Sequence, residues 1–461
     1  MRRPGAAAVW WGAAFGAAVA ARLLPPAAGL TSAGQAVLGV ALGGMLLWMT
    51  EALPLGVTAI LVLGLLGTVP GLAPTEAFVG FASPVVFFLV GALALGLAVE
   101  RTGLAARAAR RLLAGSRGKP ARLYAHMLAG FAPLALLLPS AITRNAILVP
   151  AYRDALAAMG AGPRAGRAVM LALAVLNTLA SSALLTGGVS SIATATLLGG
   201  FTWTSWFALM AVPYYTLIAL GGLVLYRLLG PFEPGHGRPP ADEGPAPPLT
   251  GAERRTLAIL ALTSLLWLTD AIHGLSPAVP ALLGASLVLA PGIGVLEWQA
   301  FESRLSWGLL LTVGASLSLA RALETTGAAD WLAGLATRGL GAADLPPAAF
   351  LAALVTAVAV VHLGITNLPA CIALLVPVGS TVGAAAGLNP VVCGLVVAIT
   401  VDTVILYPVQ TASSLLAYES GMFRAGDVRR FGVMLWLVTI AVVIGVAVPW
   451  WTLMGLPLAR P

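Results

Sequence analysis

The chain has 461 residues, of which 59% are apolar and 9% are charged, and its formal net charge is +8. Soluble domains carry about 25% charged residues, so this composition excludes a soluble globular protein, and the apolar content excludes a disordered one. All basic residues except Lys119 are arginines, and most lie in short polar stretches between apolar blocks. That distribution indicates membrane topology rather than nucleic-acid binding.

The apolar blocks predict transmembrane helices. Residues 257–268 and 433–449 are apolar apart from isolated hydroxyl groups and lack the alternation of a transmembrane β-strand. A helical span needs about 20 apolar residues, so the chain accommodates roughly ten to twelve spans. Arg2 and Arg3 precede an apolar run that resembles a signal peptide, but further apolar blocks follow at once. Residues 1–32 are therefore predicted to form a first transmembrane helix with a cytoplasmic N-terminus, in preference to a cleaved signal.

Charge distribution predicts the topology of the connecting segments. The loop 101–122 carries seven positive side chains and no acidic one, which places it in the cytoplasm. Residues 230–253 are polar and rich in proline and glycine, as is typical of a flexible linker, and they are also expected in the cytoplasm. The linker separates a first half, residues 33–229, from a second half, residues 254–461.

The two halves share a short motif at corresponding positions. Val90-Gly91-Ala92 is followed by Glu100-Arg101-Thr102-Gly103, and Val313-Gly314-Ala315 by Glu324-Thr325-Thr326-Gly327, at an offset of 223 to 224 residues. The segment after the first copy is strongly basic, whereas the segment after the second has one arginine and two aspartates. Opposite charge bias at equivalent positions predicts an inverted repeat, which many secondary transporters have. Chance similarity between two apolar helices is the alternative.

Pairs of short apolar blocks at about 123–158 and 347–387 predict two re-entrant hairpins, the first on the cytoplasmic side and the second on the extracellular side. Polar residues at the first tip are Ser140, Thr143, Arg144 and Asn145. A hairpin tip exposes helix N–H groups that suit an anion, and an arginine adds a permanent charge with bidentate geometry. Alternatively, Arg144 extends to the membrane interface or pairs with a distant acid.

The counterpart in the second half contains Thr366 and Asn367, which offer neutral donors and acceptors for a substrate oxygen or a sodium ion. Two further polar clusters interrupt long apolar blocks: Thr186–Ser191, with Gly188 and Ser190, and Pro408–Ser414, with Gln410, Thr411, Ala412 and Ser413. Unwound backbone at such interruptions can direct carbonyl groups at a cation and hydroxyl groups at a substrate. Interhelical hydrogen bonds and a kinked helix packed through small residues are the structural alternatives.

Asp402 lies inside an apolar block, six residues before the last of these clusters. A carboxyl group at membrane depth indicates a proton or cation site or a partner for Arg144, and a protonated packing residue is the alternative. Motifs of classical enzymes are missing from the sequence: it has no H-E-x-x-H, G-x-S-x-G or Walker A motif. We therefore predict neither an enzyme nor an ATP-driven pump, and no resident cofactor.

Several ordered segments resemble one membrane-protein family. Besides the repeated E-x-T-G, they are Trp48-Met49-Thr50-Glu51-Ala52-Leu53-Pro54, Gly80-Phe81-Ala82-Ser83-Pro84-Val85-Val86, residues 303–308, and Tyr418-Glu419-Ser420-Gly421-Met422-Phe423. From about residue 37 to 455 the chain resembles the divalent anion/sodium symporter family, which includes dicarboxylate, citrate and sulfate carriers. The resemblance implies eleven transmembrane helices, two opposed hairpins, a homodimeric scaffold domain and a transport domain that moves as an elevator.

The chain departs from the family pattern at both hairpin tips. The family's Ser-Asn-Thr becomes Ser140-Ala141-Ile142 here, and Arg144 matches the arginine of an S-N-T-A-R variant in exchanger-like members. The second tip keeps its middle residue as Asn367. Because the family's first sodium site uses the asparagine that Ala141 replaces, we hypothesise that this site is weakened or lost. Arg144 would then supply the charge that sodium supplies elsewhere.

These features predict a secondary-active carrier in the cytoplasmic membrane that moves a C4-dicarboxylate such as succinate or malate, with sulfate or citrate as alternatives. The predicted substrate contacts are Ser140, Thr143, Arg144, Asn145, Gly188, Ser190, Thr366, Asn367, Thr411 and Ser413. The predicted coupling residues are Asn367, Gln410 and Asp402, for a proton or for a sodium ion near Thr366, Asn367, Gln410 and Ala412. The rival prediction is a cation/proton antiporter or channel-like pore that depends on Asp402.

Overall fold

The computed structural model describes residues 4–50, 52–138, 140–233, 248–340, 345–364 and 368–459. Their regular structure is helical, and the one extended pairing among them is an isolated antiparallel bridge between Leu388 and Ala459. The predicted all-α class is therefore confirmed. Of the predicted linker, residues 234–247 lie outside the described residues, and the helix that follows already begins at Gly251.

The residues described before the linker contain twelve α-helices. They are α1 (Pro4–Leu23), α2 (Ser32–Thr50), α3 (Leu55–Leu66), α4 (Pro74–Ala77), α5 (Pro84–Thr102), α6 (Leu104–Ala114), α7 (Pro120–Leu137), α8 (Ala141–Ala158), α9 (Pro163–Leu171), α10 (Asn177–Ser182), α11 (Val189–Leu198) and α12 (Trp203–Leu229). A π-helical turn, Ala172–Leu176, joins α9 to α10, so that residues 163–182 form one continuous helical stretch. A 3-10 turn, Leu185–Gly187, separates α10 from α11.

The described helices after the linker are α13 (Gly251–Leu268), α14 (Asp270–His273), α15 (Ala278–Leu289), α16 (Trp298–Arg304), α17 (Trp307–Thr325), α18 (Ala328–Leu340), α19 (Pro347–Gly364), α20 (Leu368–Ala385), α21 (Pro390–Thr403), α22 (Ala412–Tyr418), α23 (Ala425–Val442) and α24 (Val448–Leu453). A 3-10 turn, Pro408–Gln410, lies between α21 and α22, and a π-helical turn, Val443–Ala447, joins α23 to α24. Both halves thus contain one helix that is interrupted by a short unwound segment.

The order of helix lengths is similar in the two halves. In the first half, the 19-residue α5 is followed by the 11-residue α6 and by α7 and α8, of 18 residues each. In the second half, the 19-residue α17 is followed by the 13-residue α18 and by α19 and α20, again of 18 residues each. The first pair, α7 and α8, coincides with the first predicted hairpin, and α19 and α20 coincide with the second.

Several helices are long and apolar enough to cross a membrane. Among the described residues there are five by length and composition: Pro84–Thr102, Pro163–Ser182, Trp203–Leu229, Pro347–Gly364 and Ala425–Leu453. A sixth arises if α16 and α17, which meet at 60°, count as one span. Seven shorter apolar helical stretches accompany them. The chain is therefore a multi-pass membrane protein, while the number of eleven spans stays a prediction.

Packing brings both helix pairs to the interrupted helices. Helix α8 packs against α22 and against the π-helical turn that precedes α10. Helix α20 packs against α21 and α11, which lie beside the two unwound segments. Elsewhere α5 packs on α15 and α3 packs on α17, and α17 also packs on α20. Helix α8 therefore lies beside α22 and the π-helical turn, and α20 lies beside α11 and α21.

Long-range polar contacts fix the halves to each other. Asp270, which is buried in α14, accepts hydrogen bonds from the backbone N–H groups of Trp203 and Thr204 at the first turn of α12. A carboxylate at this position satisfies helix N–H groups and interacts favourably with the helix dipole. A second tie joins Arg107 of α6 to Glu253 of α13, with Nε–Oε1 and Nη2–Oε2 distances of 2.7 and 2.9 Å.

Candidate functional site

Ser140 and Thr143 begin helix α8 at the first helix pair. Ser140 is the N-cap residue, and its hydroxyl group accepts a hydrogen bond from the backbone N–H of Thr143 at 3.2 Å. This arrangement is a standard N-cap, which explains why the helix starts at Ala141. Both residues are half-buried.

Arg144 lies in the first turn of α8 and is fully buried. Its Nε donates to Asn177 Oδ1 at 2.8 Å, and its Nη1 donates to the backbone oxygen of Leu138 at 2.5 Å. Its Nη2 donates to the backbone oxygen of Asn177 at 2.6 Å and to Ser181 Oγ at 2.7 Å. All three guanidinium nitrogens are thus engaged by neutral groups, and the positive charge is fixed at the junction of α8 and α10.

The predicted alternatives for Arg144 can be compared with this geometry. The side chain is 0% exposed and so does not reach the protein surface. Arg144 and Asp402, which both belong to the described part of the chain, form no ion pair with each other. The guanidinium therefore belongs to the polar interior of the protein.

Asn177 connects Arg144 to Asn145. Its side-chain amide donates to Asn145 Oδ1 at 2.7 Å while its oxygen accepts from Arg144. Both asparagines are fully buried. Asn177 was not predicted from the sequence, since it lies in a stretch of continuous hydrophobic character, and the π-helical turn that precedes it is not visible in the residue pattern. An asparagine inside an apolar block was the only available signal.

Asn145 continues the network to the second half of the chain. Its side-chain amide donates to the backbone oxygen of Leu173 at 2.9 Å, and to the backbone oxygen and the hydroxyl group of Ser413 at 2.9 and 2.8 Å. The neighbouring Ser414 donates to the backbone oxygen of Ala174 at 2.7 Å. Thr411 caps α22, because its hydroxyl group accepts from the backbone N–H of Ser414 at 3.0 Å. We call Arg144, Asn145, Asn177, Ser181 and Ser413 the arginine cluster.

The unwound segment between α10 and α11 depends on a close backbone contact. A Cβ atom on Gly187 would lie 1.9 Å from the backbone oxygen of Ser181, so no larger residue fits there without a rearrangement. Gly188 has an extended backbone and more space, with Ser190 Oγ 3.8 Å from the position of its Cβ. Ser190, in the first turn of α11, is buried. The indole N–H of Trp203 donates to the hydroxyl group of Thr186 at 3.0 Å and so links the segment to the start of α12.

Asp402 occupies the last turn of α21, immediately before the second unwound segment. It is 6% exposed, and the hydroxyl group of Tyr214 in α12 donates to its Oδ2 at 2.7 Å. Ser182 and Ser190, on either side of the first unwound segment, lie near this carboxyl group, and the Ser182 hydroxyl group donates to the backbone oxygen of Thr178 at 3.4 Å. We call Asp402, Tyr214, Ser182 and Ser190 the aspartate cluster. Tyr214 and Ser182 were missed in the sequence, where they resemble ordinary residues of long apolar helices.

Gln410 has a local role in this conformation. Its amide oxygen accepts from the backbone N–H of Leu406 at 2.8 Å, and its amide nitrogen donates to the backbone oxygen of Val404 at 2.8 Å. The side chain therefore shapes the second unwound segment. Of the other predicted sodium contacts, Thr366 and Asn367 lie outside the described residues, and Ala412 is the first residue of α22.

Each cluster connects residues next to the first unwound segment with residues next to the second. The arginine cluster joins residues before the first segment to residues after the second, and the aspartate cluster joins residues around the first to Asp402 before the second. One contains a buried guanidinium group and the other a buried carboxyl group. Buried ionisable groups in membrane proteins are rare and usually functional.

Comparison with known proteins identifies the family. The family model described as the sodium:sulfate symporter transmembrane region matches residues 8–456, and the chain belongs to that family. The members of this family are transporters and not enzymes. The protein is therefore a membrane transporter.

Individual relatives have low sequence identity to this chain, but the similarity extends over most of each sequence. A protein of Cupriavidus necator named only as a membrane protein is 26% identical, over 96% of this chain and 93% of its own length. A chloroplastic dicarboxylate transporter of Arabidopsis thaliana, named dicarboxylate transporter 1, is 24% identical over 97% of this chain and 84% of its own. Among solved structures, the YdaH transporter of Alcanivorax borkumensis is similar with a TM-score of 0.53 and 19% identity, covering 83% of this chain and 88% of that one. The last comparison shows a similar fold only.

Proposed function

We propose that this protein is a secondary-active carrier of small divalent anions, with a C4-dicarboxylate such as succinate or malate as the preferred cargo. The observation that carries the proposal is the buried Arg144, which is held at the N-terminal end of α8 by Asn177 and Ser181, just before the first unwound segment. A fixed cation and the N–H groups of a helix N-terminus attract an anion in a region from which water is excluded. The Arabidopsis relative is named a dicarboxylate transporter, which agrees with this substrate class.

The anion would bind between the two helix pairs and the two unwound segments. Ser140, Thr143 and Thr411 would contribute hydroxyl groups, and Gly188 would allow close approach of the backbone. Asn145 and Ser413 would complete the polar wall, together with Ser190. Thr366 and Asn367 are proposed to close the site from the second helix pair.

Arg144 is engaged by neutral side chains and backbone oxygens, and this geometry supports an electrostatic role. A charge that is already held by hydrogen bonds needs no reorganisation when the anion arrives. Because Ala141 replaces the asparagine of the family's first sodium site, Arg144 would take the place of that ion. Exchange of anions, or coupling to a proton or a single sodium ion, follows as the mode of transport.

The transport movement is proposed to be that of an elevator. Support comes from the matching order of helix lengths in α5–α8 and α17–α20, which is what an inverted repeat would produce. The pairs α7–α8 and α19–α20 would form re-entrant hairpins of the transport domain, and helices α3, α5, α15 and α17 would form part of the scaffold. A homodimer in the cytoplasmic membrane, with the N-terminus in the cytoplasm, completes the proposal.

Thermal stability of the purified protein tests the proposal. A ligand at a hundredfold excess over its Kd stabilises the native state by about 2.7 kcal/mol. Succinate, malate, citrate and sulfate would be compared with and without sodium, in the wild type and in the Arg144→Gln and Arg107→Gln variants. We expect a dicarboxylate to raise the melting temperature of the wild type and of Arg107→Gln, but not of Arg144→Gln. Absence of a shift with every anion, together with a shift caused by cations or pH alone, would favour the antiporter or pore that depends on Asp402.

A further inference from the structure

Asp402 occupies a position that packing alone does not explain. Its carboxyl group is buried in the last turn of α21, an apolar helix, and makes no ion pair with any residue that the structure describes. A buried carboxylate in a membrane protein is costly, so natural membrane proteins keep one where it serves the transported ion or proton. An amide or an apolar residue would fill the same space at lower cost.

All partners of Asp402 in its cluster are hydroxyl groups. Tyr214 donates to the carboxylate at 2.7 Å, and the hydroxyl groups of Ser182 and Ser190 complete the cluster. A hydroxyl group can donate to a carboxylate and can equally accept from a protonated carboxylic acid. The cluster can therefore satisfy both protonation states of Asp402 by rotating O–H bonds, without moving a helix.

Other titratable groups near Asp402 lie on the second helix pair. Helices α19 and α20 both pack on α21, and His362 Nδ1 of α19 lies 3.4 Å from the Cys371 sulfur of α20. Helix α23, which also packs on α21, has its charged residues in its first two turns, where Arg429 and Arg430 are exposed and Asp427 pairs with Arg167. Helices α10 and α11 contribute only hydroxyl groups.

We propose that Asp402 binds and releases one proton in each transport cycle and thereby couples the anion to the proton gradient. The inference rests on the proposed function, because it concerns the ion that accompanies the anion. An O–H bond forms on the carboxylate when the site is open to one side, and the same bond breaks, releasing the proton to water, when the site is open to the other. Tyr214 donates to the carboxylate in the charged state, and the acid donates to a serine hydroxyl group in the neutral state.

Electrostatic repulsion supplies the coupling. Ser182 and Ser190 flank the unwound segment at which the anion is proposed to bind, so a charged Asp402 and a dianion would stand in the same water-poor region. Like charges there disfavour each other strongly. Protonation of Asp402 removes one of them, so the proton raises the affinity for the anion, and by reciprocity the anion raises the affinity for the proton. The result is symport of the two.

Purified protein in sodium-free liposomes provides the test. Labelled succinate is supplied under an imposed inward proton gradient, and proton entry is followed with a trapped pH dye. We expect the wild type to accumulate succinate and to take up protons with it. Asp402→Asn should still exchange internal for external succinate but should accumulate none. Asp154→Asn, which alters an exposed carboxylate paired with Arg153, is the matched control and should behave as the wild type.

Binding measurements distinguish coupling from a purely structural role. Above pH 7 the second carboxyl group of succinate is ionised throughout, and a linked proton should weaken binding by up to about tenfold per pH unit in the wild type. In Asp402→Asn the Kd should be the same at pH 7 and pH 9. Tyr214→Phe keeps the carboxyl group and the volume of the side chain, so it should fold and should shift the pH midpoint of binding.

The outcomes separate the two proposals. A wild type that neither binds nor exchanges any of the four anions contradicts the proposed function itself. Anion transport by the wild type with a pH dependence that Asp402→Asn and Tyr214→Phe leave unchanged overturns the proton site alone. Accumulation driven by a sodium gradient, and not by a proton gradient, also overturns it.

Discussion

Asn145 and Ser413 are joined by two hydrogen bonds across 268 residues of sequence, at 2.9 Å to the backbone oxygen and 2.8 Å to the hydroxyl group. The contact links the first turns of α8 to the start of α22, immediately after the second unwound segment. Because Asn145 also accepts from Asn177, one side chain ties together three separate elements. The positions of the helix N-termini at the candidate site therefore depend on each other.

This contact predicts that substitutions of its two partners are not additive. Asn145→Ala removes all three donated hydrogen bonds, whereas Ser413→Ala removes only the one to the hydroxyl group. Interhelical hydrogen bonds in membrane proteins contribute about 0.6 kcal/mol on average. In a double-mutant cycle on unfolding in detergent, we expect a coupling free energy of about that size. A coupling of zero would show that the contact does not exist in the membrane-extracted protein.

Asn177 is expected to contribute as much as Arg144 to stability and to anion binding. Asn177→Ala leaves the guanidinium Nε and the Asn145 side-chain oxygen without their partners in a buried environment. Each buried polar group without a hydrogen-bond partner lowers the free energy of unfolding by about 1–3 kcal/mol. The variant should therefore be less stable and should bind the anion more weakly. The measurement is thermal unfolding with and without succinate.

Thr178→Ala is the matched control for that prediction. Thr178 is the next residue, is half-buried, and donates only to the backbone oxygen of Val175 within its own helical stretch. It should retain both stability and anion binding. Equal losses in Asn177→Ala and Thr178→Ala would mean that the helix, and not the arginine cluster, is responsible.

The glycine pair at the first unwound segment gives a third prediction. Gly187→Ala would place a Cβ atom 1.9 Å from the Ser181 backbone oxygen, whereas Gly188→Ala meets nothing closer than 3.8 Å. Overpacking of this kind costs about 1–3 kcal/mol, so Gly187→Ala should melt at a lower temperature and Gly188→Ala should not. Because Gly188 is proposed to line the anion site, its substitution should instead weaken succinate binding. Identical melting curves for the two variants would contradict the geometry.

The ion pair between Arg107 and Glu253 predicts a particular pH dependence. Hydrogen bonds from Arg107 and from the backbone N–H of Thr250 lower the pKa of Glu253 from its ordinary value of 4.5 to about 2. A carboxylate with a lowered pKa stabilises the folded state fully above its unfolded pKa, and this contribution is lost as the pH falls towards 2. Wild type should therefore exceed Glu253→Gln in melting temperature by a constant margin from pH 6 to 8, and the margin should shrink below pH 4.

An exposed pair serves as the comparison. Arg153 and Asp154 form an ion pair in which the side chains are 52% and 70% exposed. Such pairs contribute little, so Asp154→Asn should leave the melting temperature unchanged at every pH. A pH-dependent margin of the same size for Asp154→Asn would indicate a general charge effect.

The sequence was sufficient to predict helices, their approximate ends and the polar interruptions. Ser140 was predicted as a polar residue of a hairpin tip and Thr411 as part of an unwound cluster, and the structure shows that they cap α8 and α22. The two interruptions near Gly187 and Gln410 could be predicted because a bilayer penalises polar groups and unwound backbone. Polar residues inside an apolar block therefore mark positions at which the structure or the function requires them. The all-α class follows from composition alone.

The partners of the buried charges could not be predicted. Asn177 approaches Arg144 because of a π-helical turn at Ala172–Leu176 that no residue type specifies. Tyr214 approaches Asp402 across 188 residues, and an aromatic residue in a long apolar helix gives no sign of a polar partner. Gln410, predicted as a coupling residue, uses both the oxygen and the nitrogen of its side-chain amide in hydrogen bonds to nearby backbone in this conformation. Long-range packing decides the partners of Arg144 and Asp402, whereas the local backbone of the second unwound segment decides those of Gln410.

Exchange of labelled succinate by the purified protein in liposomes is the most direct test of an anion site built on Arg144. We predict saturable exchange in the wild type, inhibition by unlabelled malate, an unchanged affinity in Arg107→Gln, and loss of exchange in a correctly folded Arg144→Gln variant. Exchange in Arg144→Gln with the affinity of the wild type would contradict the account, as would wild-type uptake no greater than that of empty liposomes for every dicarboxylate and for sulfate.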